Sequence, residues 1–110
     1  MSTKIIKSEV EKLVGKELAL SYEQFPAFHS PHEGYAVLLE EIEEAVEQLE
    51  IIQSYTPYLW EHIKLNFYDV EKYLDGMEWA AINAACEAIQ VAAVCRKYRE
   101  SLIDNMVEES

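Results

Sequence analysis

Ten glutamates lie between Glu17 and Ile63, at positions 17, 23, 33, 40, 41, 43, 44, 47, 50 and 61, with no lysine or arginine among them. Helix surfaces normally mix signs, because like charges four residues apart repel. Glu40–Glu44 and Glu43–Glu47 are such pairs, so something should compensate the repulsion. Carboxylates at this density are hard oxygen ligands suited to magnesium or manganese. The plainer alternative is a solvated acidic face, since glutamate forms helices well. At about 100° per residue, Glu43 and Glu50 fall on one shoulder of an apolar stripe and Glu41 and Gln48 on the other. Glu40, Glu44 and Glu47 face away from the stripe, where a second packing partner can cover them. Glu40, Glu41 and Glu44 make the spacing E-E-x-x-E, one turn of carboxylates.

A second acid is placed differently. Glu87 sits in Ala-Ala-Ile-Asn-Ala-Ala-Cys-Glu-Ala-Ile-Gln-Val-Ala-Ala-Val. A carboxylate in so apolar a segment is costly unless paired, protonated or coordinated. Asn83, Glu87, Gln90 and Val94 follow 4-3-4 spacing, so three polar groups share one stripe. If that stripe faces Glu40, Glu41 and Glu44, two helices assemble one cluster. The competing reading of Glu87 is a structural hydrogen bond or an ion pair.

Phosphates, if the cluster handles them, need cations. Lys64, Arg96, Lys97 and Arg99 are the candidates, although the last three equally suit a helix C-terminus. Trp60, Tyr35 and Phe28 are candidates for stacking a base, and aromatics at helical spacing are more often core. His29 and His32, three apart, have a spacing compatible with a metal but read more simply as loop and surface residues.

These residues need long helices to position them. Only three Gly and three Pro occur in 110 residues, which favours a few long elements. Thr3 to Tyr22 places Ile6, Val10, Leu13, Val14, Leu18 and Leu20 at helical spacing. A loop follows from Gln24 to Ser30. Ser30 as N-cap, Pro31 as first helical residue and Glu33 as the acid of a capping box then open the second helix. Its stripe is Tyr35, Leu38, Leu39, Ile42, Ala45, Val46, Leu49 and Ile52. Thr56-Pro57 repeats the signal and predicts a third helix or helical connector, with Trp60, Ile63, Leu65, Phe67, Val70 and Leu74 buried. Asp75-Gly76 predicts a break, and an Ala-rich helix from Met77 to Asp104 completes the chain. The expected fold is all-α: a single domain, an antiparallel bundle of about four helices. So short a chain builds only a modest core, which favours completion as a homodimer or homotetramer.

The net charge of -12 argues against nucleic acid and anionic membranes as partners. The most apolar stretch, Trp79 to Cys95, is interrupted by Asn83, Glu87 and Gln90 and reads as a buried helix, not a membrane span. Cys86 and Cys95 are about 13 Å apart along one helix, too far to bridge. Two buried free thiols in a reducing cytoplasm are expected.

Glu40-Glu41-Ile42-Glu43-Glu44 resembles the EExxE motif of the all-α nucleoside triphosphate pyrophosphohydrolases, the group of MazG and the dimeric dUTPases. In that family a following helix supplies ExxD, and the four acids bind magnesium; Glu87-Ala88-Ile89-Gln90 occupies that place. The run Phe28-His29-Ser30-Pro31-His32-Glu33-Gly34-Tyr35, leading into Leu38-Leu39-Glu40-Glu41, is similar to small MazG-like proteins of bacteria and their phages. So is the run from Glu87 to Ala93. The resemblance covers roughly Phe25 to Tyr98. It implies magnesium-dependent hydrolysis of a nucleoside triphosphate to the monophosphate and pyrophosphate, a house-cleaning or nucleotide-pool activity. It also implies Glu40, Glu41, Glu44 and Glu87 as metal ligands (manganese being an alternative ion), with Glu40 and Glu41 catalytic. Gln90 stands where the family has Asp; its amide oxygen can contact metal or water. That departure favours the alternative, a catalytically weakened helical oligomer serving as a nucleotide-binding or protein-interaction module. A ferritin-like metal bundle would need Glu-x-x-His pairs, and the sequence has none.

Overall fold

The computed structural model describes residues 3–109, with side chains through Asp104. Among the described residues it is all-helical: α1 (Thr3–Gln24), α2 (Pro31–Lys64) and α3 (Glu71–Glu109). The start of α2 has the expected N-cap and proline, while the Glu33 carboxylate pairs with His29 at 3.1 Å in place of closing a capping box. Ser30 is extended at φ -152 and ψ 160, its hydroxyl accepts the Glu33 N–H at 3.1 Å, and Pro31 follows. The helix ends at Leu65. Asn66 then turns left-handed at φ 58, and the Phe67 N–H reaches back to the His62 carbonyl at 2.9 Å. Asparagine tolerates this conformation better than most residues.

The expected fourth helix is absent among the described residues, for two local reasons. At Thr56-Pro57, α2 simply continues. Pro57 has no N–H for the Gln53 carbonyl, but the Thr56 hydroxyl donates to that same carbonyl at 2.8 Å. Thr56 thus compensates the proline instead of capping a new helix. At Asp75-Gly76, α3 also runs through, having begun at Glu71. A Cβ on Gly76 would stand 2.8 Å from the Tyr55 ring, so this glycine permits close approach of two helices and does not mark a turn.

α3 is the central element and packs against both α1 and α2. It runs antiparallel to α2: Gly34 meets Tyr98 at one end of the pair, and Tyr55 meets Gly76 at the other. The buried apolar residues are few and mostly small: Val14, Phe28, Val70, Ala80, Ala84 and Ala93. Small side chains let the helices approach, and the elongated body measures 67 × 30 × 21 Å.

Several residues expected in the core lie outside it. In the α2 stripe Leu39, Ile42, Val46 and Leu49 are exposed, and in α1 so are Ile6, Val10, Leu13 and Leu20. Of the residues assigned to a third helix only Val70 is buried; Trp60, Ile63, Leu65, Phe67 and Leu74 are exposed, because α1 packs at the other end of the hairpin. Cys86 and Cys95 are free as expected but exposed, since they lie on faces of α3 that neither neighbour covers. No described helix is long and apolar enough to cross a membrane.

Candidate metal centre

The antiparallel register of α2 and α3 decides which acids meet. Glu41 and Glu44 are one turn apart on the side of α2 that looks toward α3, and Glu87 projects from α3 between them. One ligand oxygen from each of the three lies within 4.8 Å of the others. Oε2 of Glu41 and Oε2 of Glu87 are shielded from water and have no hydrogen-bond partner. Such orphaned oxygens carry a desolvation cost that a cation would remove. Gln48 Oε1, one turn beyond Glu44, is in the same condition.

The electrostatics agree with the geometry. Burial raises the Glu41 carboxyl above the usual range, and the charges of Glu44, Glu87, Glu40 and Glu17 raise it further. Burial likewise raises Glu87, followed by a hydrogen bond with Glu44 and that residue's charge. Among the described residues none of the three acids is in an ion pair. A donor set of hard carboxylate oxygens without a positive partner fits magnesium or manganese.

Beside the cluster opens a cavity of about 640 Å³, bounded by the C-terminal half of α1, the N-terminal half of α2 and α3. That volume is in the range of small-molecule sites. Glu17 and Glu41 line it with Gln90, and Leu20, Phe28 and Val94 give it apolar wall. Glu17 is the participant that sequence reasoning missed. It begins the cation-free interval, but nothing local tells which way α1 crosses the other helices.

The remaining candidates divide. Glu40 is exposed and outside the trio, acting on Glu41 only through its charge. Lys97 lines the cavity and is 1% exposed. However, its ammonium donates to Ser21 Oγ at 2.8 Å, the Phe25 carbonyl at 3.2 Å and the Ser21 carbonyl at 3.4 Å. Three acceptors use its three protons, and the rings of Tyr22 and Phe28 flank it, each centroid 5.0 Å away. Burial lowers its pKa, and only the charge of Glu33 opposes this. Lys97 is therefore a strut that fastens the end of α1 to α3, and its donors are not free for a phosphate.

Lys64 pairs with Glu61 at 2.7 Å and stands 20 residues beyond Glu44 on the same helix, about 30 Å away. Trp60 is about 24 Å from Glu44 by the same measure and exposed. Tyr35 is exposed, and neither Tyr35 nor Arg96 lines the cavity. Of the stacking candidates Phe28 does, set edge-on to Tyr98 with centroids 6.2 Å apart. His29 reaches the cavity and pairs with Glu33 at 3.1 Å, whereas His32 is exposed. Compared with protein-family models, curated proteins and solved structures, the chain matches none.

Proposed function

We propose that this protein hydrolyses a nucleoside triphosphate to the monophosphate and pyrophosphate, using a divalent cation held by Glu41, Glu44 and Glu87. The observation that carries this reading is the convergence of three uncompensated carboxylates, two with orphaned oxygens, one of which, Glu41, lines a cavity of nucleotide size. The resemblance of Glu40 to Glu44 and of Glu87 to Gln90 to the pyrophosphohydrolase motifs supports it from the sequence side.

When bound, magnesium supplies charge neutralisation of the phosphates and acidifies a coordinated water. The chain supplies the rest. Glu41, Glu44 and Glu87 hold the ion, and the Gln90 amide orients a water or the ion from the neighbouring turn of α3. A cluster carboxylate not engaged as a ligand takes the proton of the attacking water. Water adds to the α-phosphorus, the bond to the bridging oxygen of the β-phosphate breaks, and pyrophosphate leaves with the electron pair. Phe28, Leu20 and Val94 receive the base or sugar and exclude water.

A second reading rests on Gln90. A neutral amide where a fourth acid would serve weakens the site, and the protein is then a nucleotide-binding or interaction module without turnover. Pyrophosphate release from a panel of nucleoside triphosphates, with and without magnesium, separates the two. The first reading expects magnesium-dependent turnover that Glu41→Gln abolishes. Turnover unchanged in that variant, or no turnover from a folded, magnesium-loaded protein, rejects it.

A further inference from the structure

Gly34, Glu41, Gln48 and Tyr55 recur every seven residues along α2. Seven residues bring a helical side chain back to within about 20° of its starting direction, so the four share one face. That face looks at α3, because Gly34 meets the Tyr98 ring and Tyr55 meets Gly76. Gly76, Asn83 and Gln90 keep the same interval on α3. The antiparallel register that brings Glu44 to Glu87 therefore sets Glu41 across from Gln90 and Gln48 across from Asn83. The helix contact thus carries three polar layers in succession. At the first layer the cavity opens, lined by Glu41 and Gln90. Beyond the third the contact closes: Ala80 is fully buried, and Ile51 and Ile52 are half-buried. Gln48 stands at the closed end, about 6 Å along the helix axis from Glu44. There its Oε1 is shielded from water and accepts no hydrogen bond, from Asn83 or any other residue. An apolar side chain would fill the position without the cost of an unsatisfied acceptor.

We infer that Gln48 is a positioning residue for the cation: its Oε1 accepts a hydrogen bond from a water in the ion's shell, on the side away from the cavity. The inference rests on Glu41, Glu44 and Glu87 holding a divalent cation. Magnesium takes oxygen ligands in near-octahedral array and keeps several waters among them. A water bound to a cation turns its oxygen to the ion and its protons outward, so its neighbours must be acceptors. At the closed end of the contact the orphaned acceptor is Gln48 Oε1. Acceptors of this kind orient the shell and hold the ion more tightly. A neutral acceptor also suits the place. A carboxylate there would add to the repulsion among Glu41, Glu44 and Glu87 when the ion is away, and an amide carbonyl does not. The competing role is structural: the amide reversed, with its NH2 donating to Glu44 whether or not an ion is bound.

Manganese titration of the full chain at pH 8, read by loss of the free-ion electron paramagnetic resonance signal, tests this without any substrate. Gln48→Met keeps the length of the side chain and removes the oxygen. It should weaken manganese binding about tenfold. In EDTA it should raise Tm by about 4 °C, since the unsatisfied acceptor is gone. Gln48→Glu restores an oxygen at the same reach. It should bind manganese at least as tightly as the unmodified protein and melt lower in EDTA. If the unmodified protein binds manganese and Gln48→Met binds it equally well, this inference alone is overturned. A Gln48→Met that melts lower in EDTA also overturns it, being the result of an amide that holds Glu44. So does a Gln48→Glu that binds no better than Gln48→Met. An unmodified protein that binds no manganese overturns the cation reading and this inference with it.

Discussion

Glu87→Gln should stabilise the cation-free protein at pH 8. Its carboxylate stands within 4.8 Å of ligand oxygens on both Glu41 and Glu44. One such pair costs about 0.9 kcal/mol in water and about 3.5 kcal/mol at an effective dielectric near 20. The cluster is only half-buried and can hold a shared proton, so a net gain of about 1–2 kcal/mol is expected, or a rise in Tm of roughly 4–8 °C. The dependence on pH fixes the cause. Glu41 and Glu87 are raised above the ordinary carboxylate value in the fold. Below that value both folded and unfolded chains are protonated and no penalty exists. As pH rises through it toward the raised folded values, the unfolded chain ionises first and the wild type loses stability. The gain from Glu87→Gln should therefore vanish near pH 4. Magnesium should reverse the order at pH 8, because a ligand stabilises the form that binds it better. Thermal unfolding followed by circular dichroism in EDTA, at pH 4 and pH 8, measures this. A variant less stable than wild type at pH 8, or a gain equal at both pH values, would refute the electrostatic account of the cluster.

Two glycines make a matched pair. Gly34→Ala should destabilise by about 1–3 kcal/mol, because the new methyl collides with the Tyr98 ring; Gly15→Ala meets nothing within 4 Å and should stabilise by about 0.5–1 kcal/mol. Chemical denaturation of both variants tests this, and equal effects would contradict the packing. Lys97→Ala should cost about 2–4 kcal/mol by leaving a void and stranding the acceptors on Ser21 and Phe25, with the loss seen in urea midpoints. Tyr22, which donates to Glu100 at 2.6 Å, should titrate late, near 12, in an ultraviolet titration of the seven tyrosines. Its folded pKa is raised by burial and by Glu100, so the stability it lends is whole below pH about 10 and lost as pH climbs through about 12.

The ends of helices were legible because their causes are local. Ser30 and Pro31 act within one turn, and the observed cap uses them as their types suggest, whereas the Glu33 carboxylate pairs with His29 and does not complete a capping box. Thr56-Pro57 and Asp75-Gly76 misled for the same reason reversed. Each has the composition of a boundary, yet each is answered by an atom that local sequence does not reveal, the Thr56 hydroxyl on the Gln53 carbonyl and the Tyr55 ring against Gly76. The meeting of Glu41, Glu44 and Glu87 was readable because the polar stripe on an alanine-rich helix and the acids on α2 each demand a partner. Glu17 and the saturation of Lys97 were not readable, since both depend on how α1 crosses α3. The stripe on α2 was read as apolar, but periodicity alone does not say whether the chain itself or a second molecule covers it.

The position of the bond that breaks tests the central claim most directly. Phosphorus NMR of a nucleoside triphosphate incubated with the protein and magnesium reads it without a coupled enzyme. The account predicts monophosphate and pyrophosphate signals growing together, and no such change with Glu41→Gln. Diphosphate with orthophosphate, or a spectrum unchanged across the nucleotides tried, would contradict it.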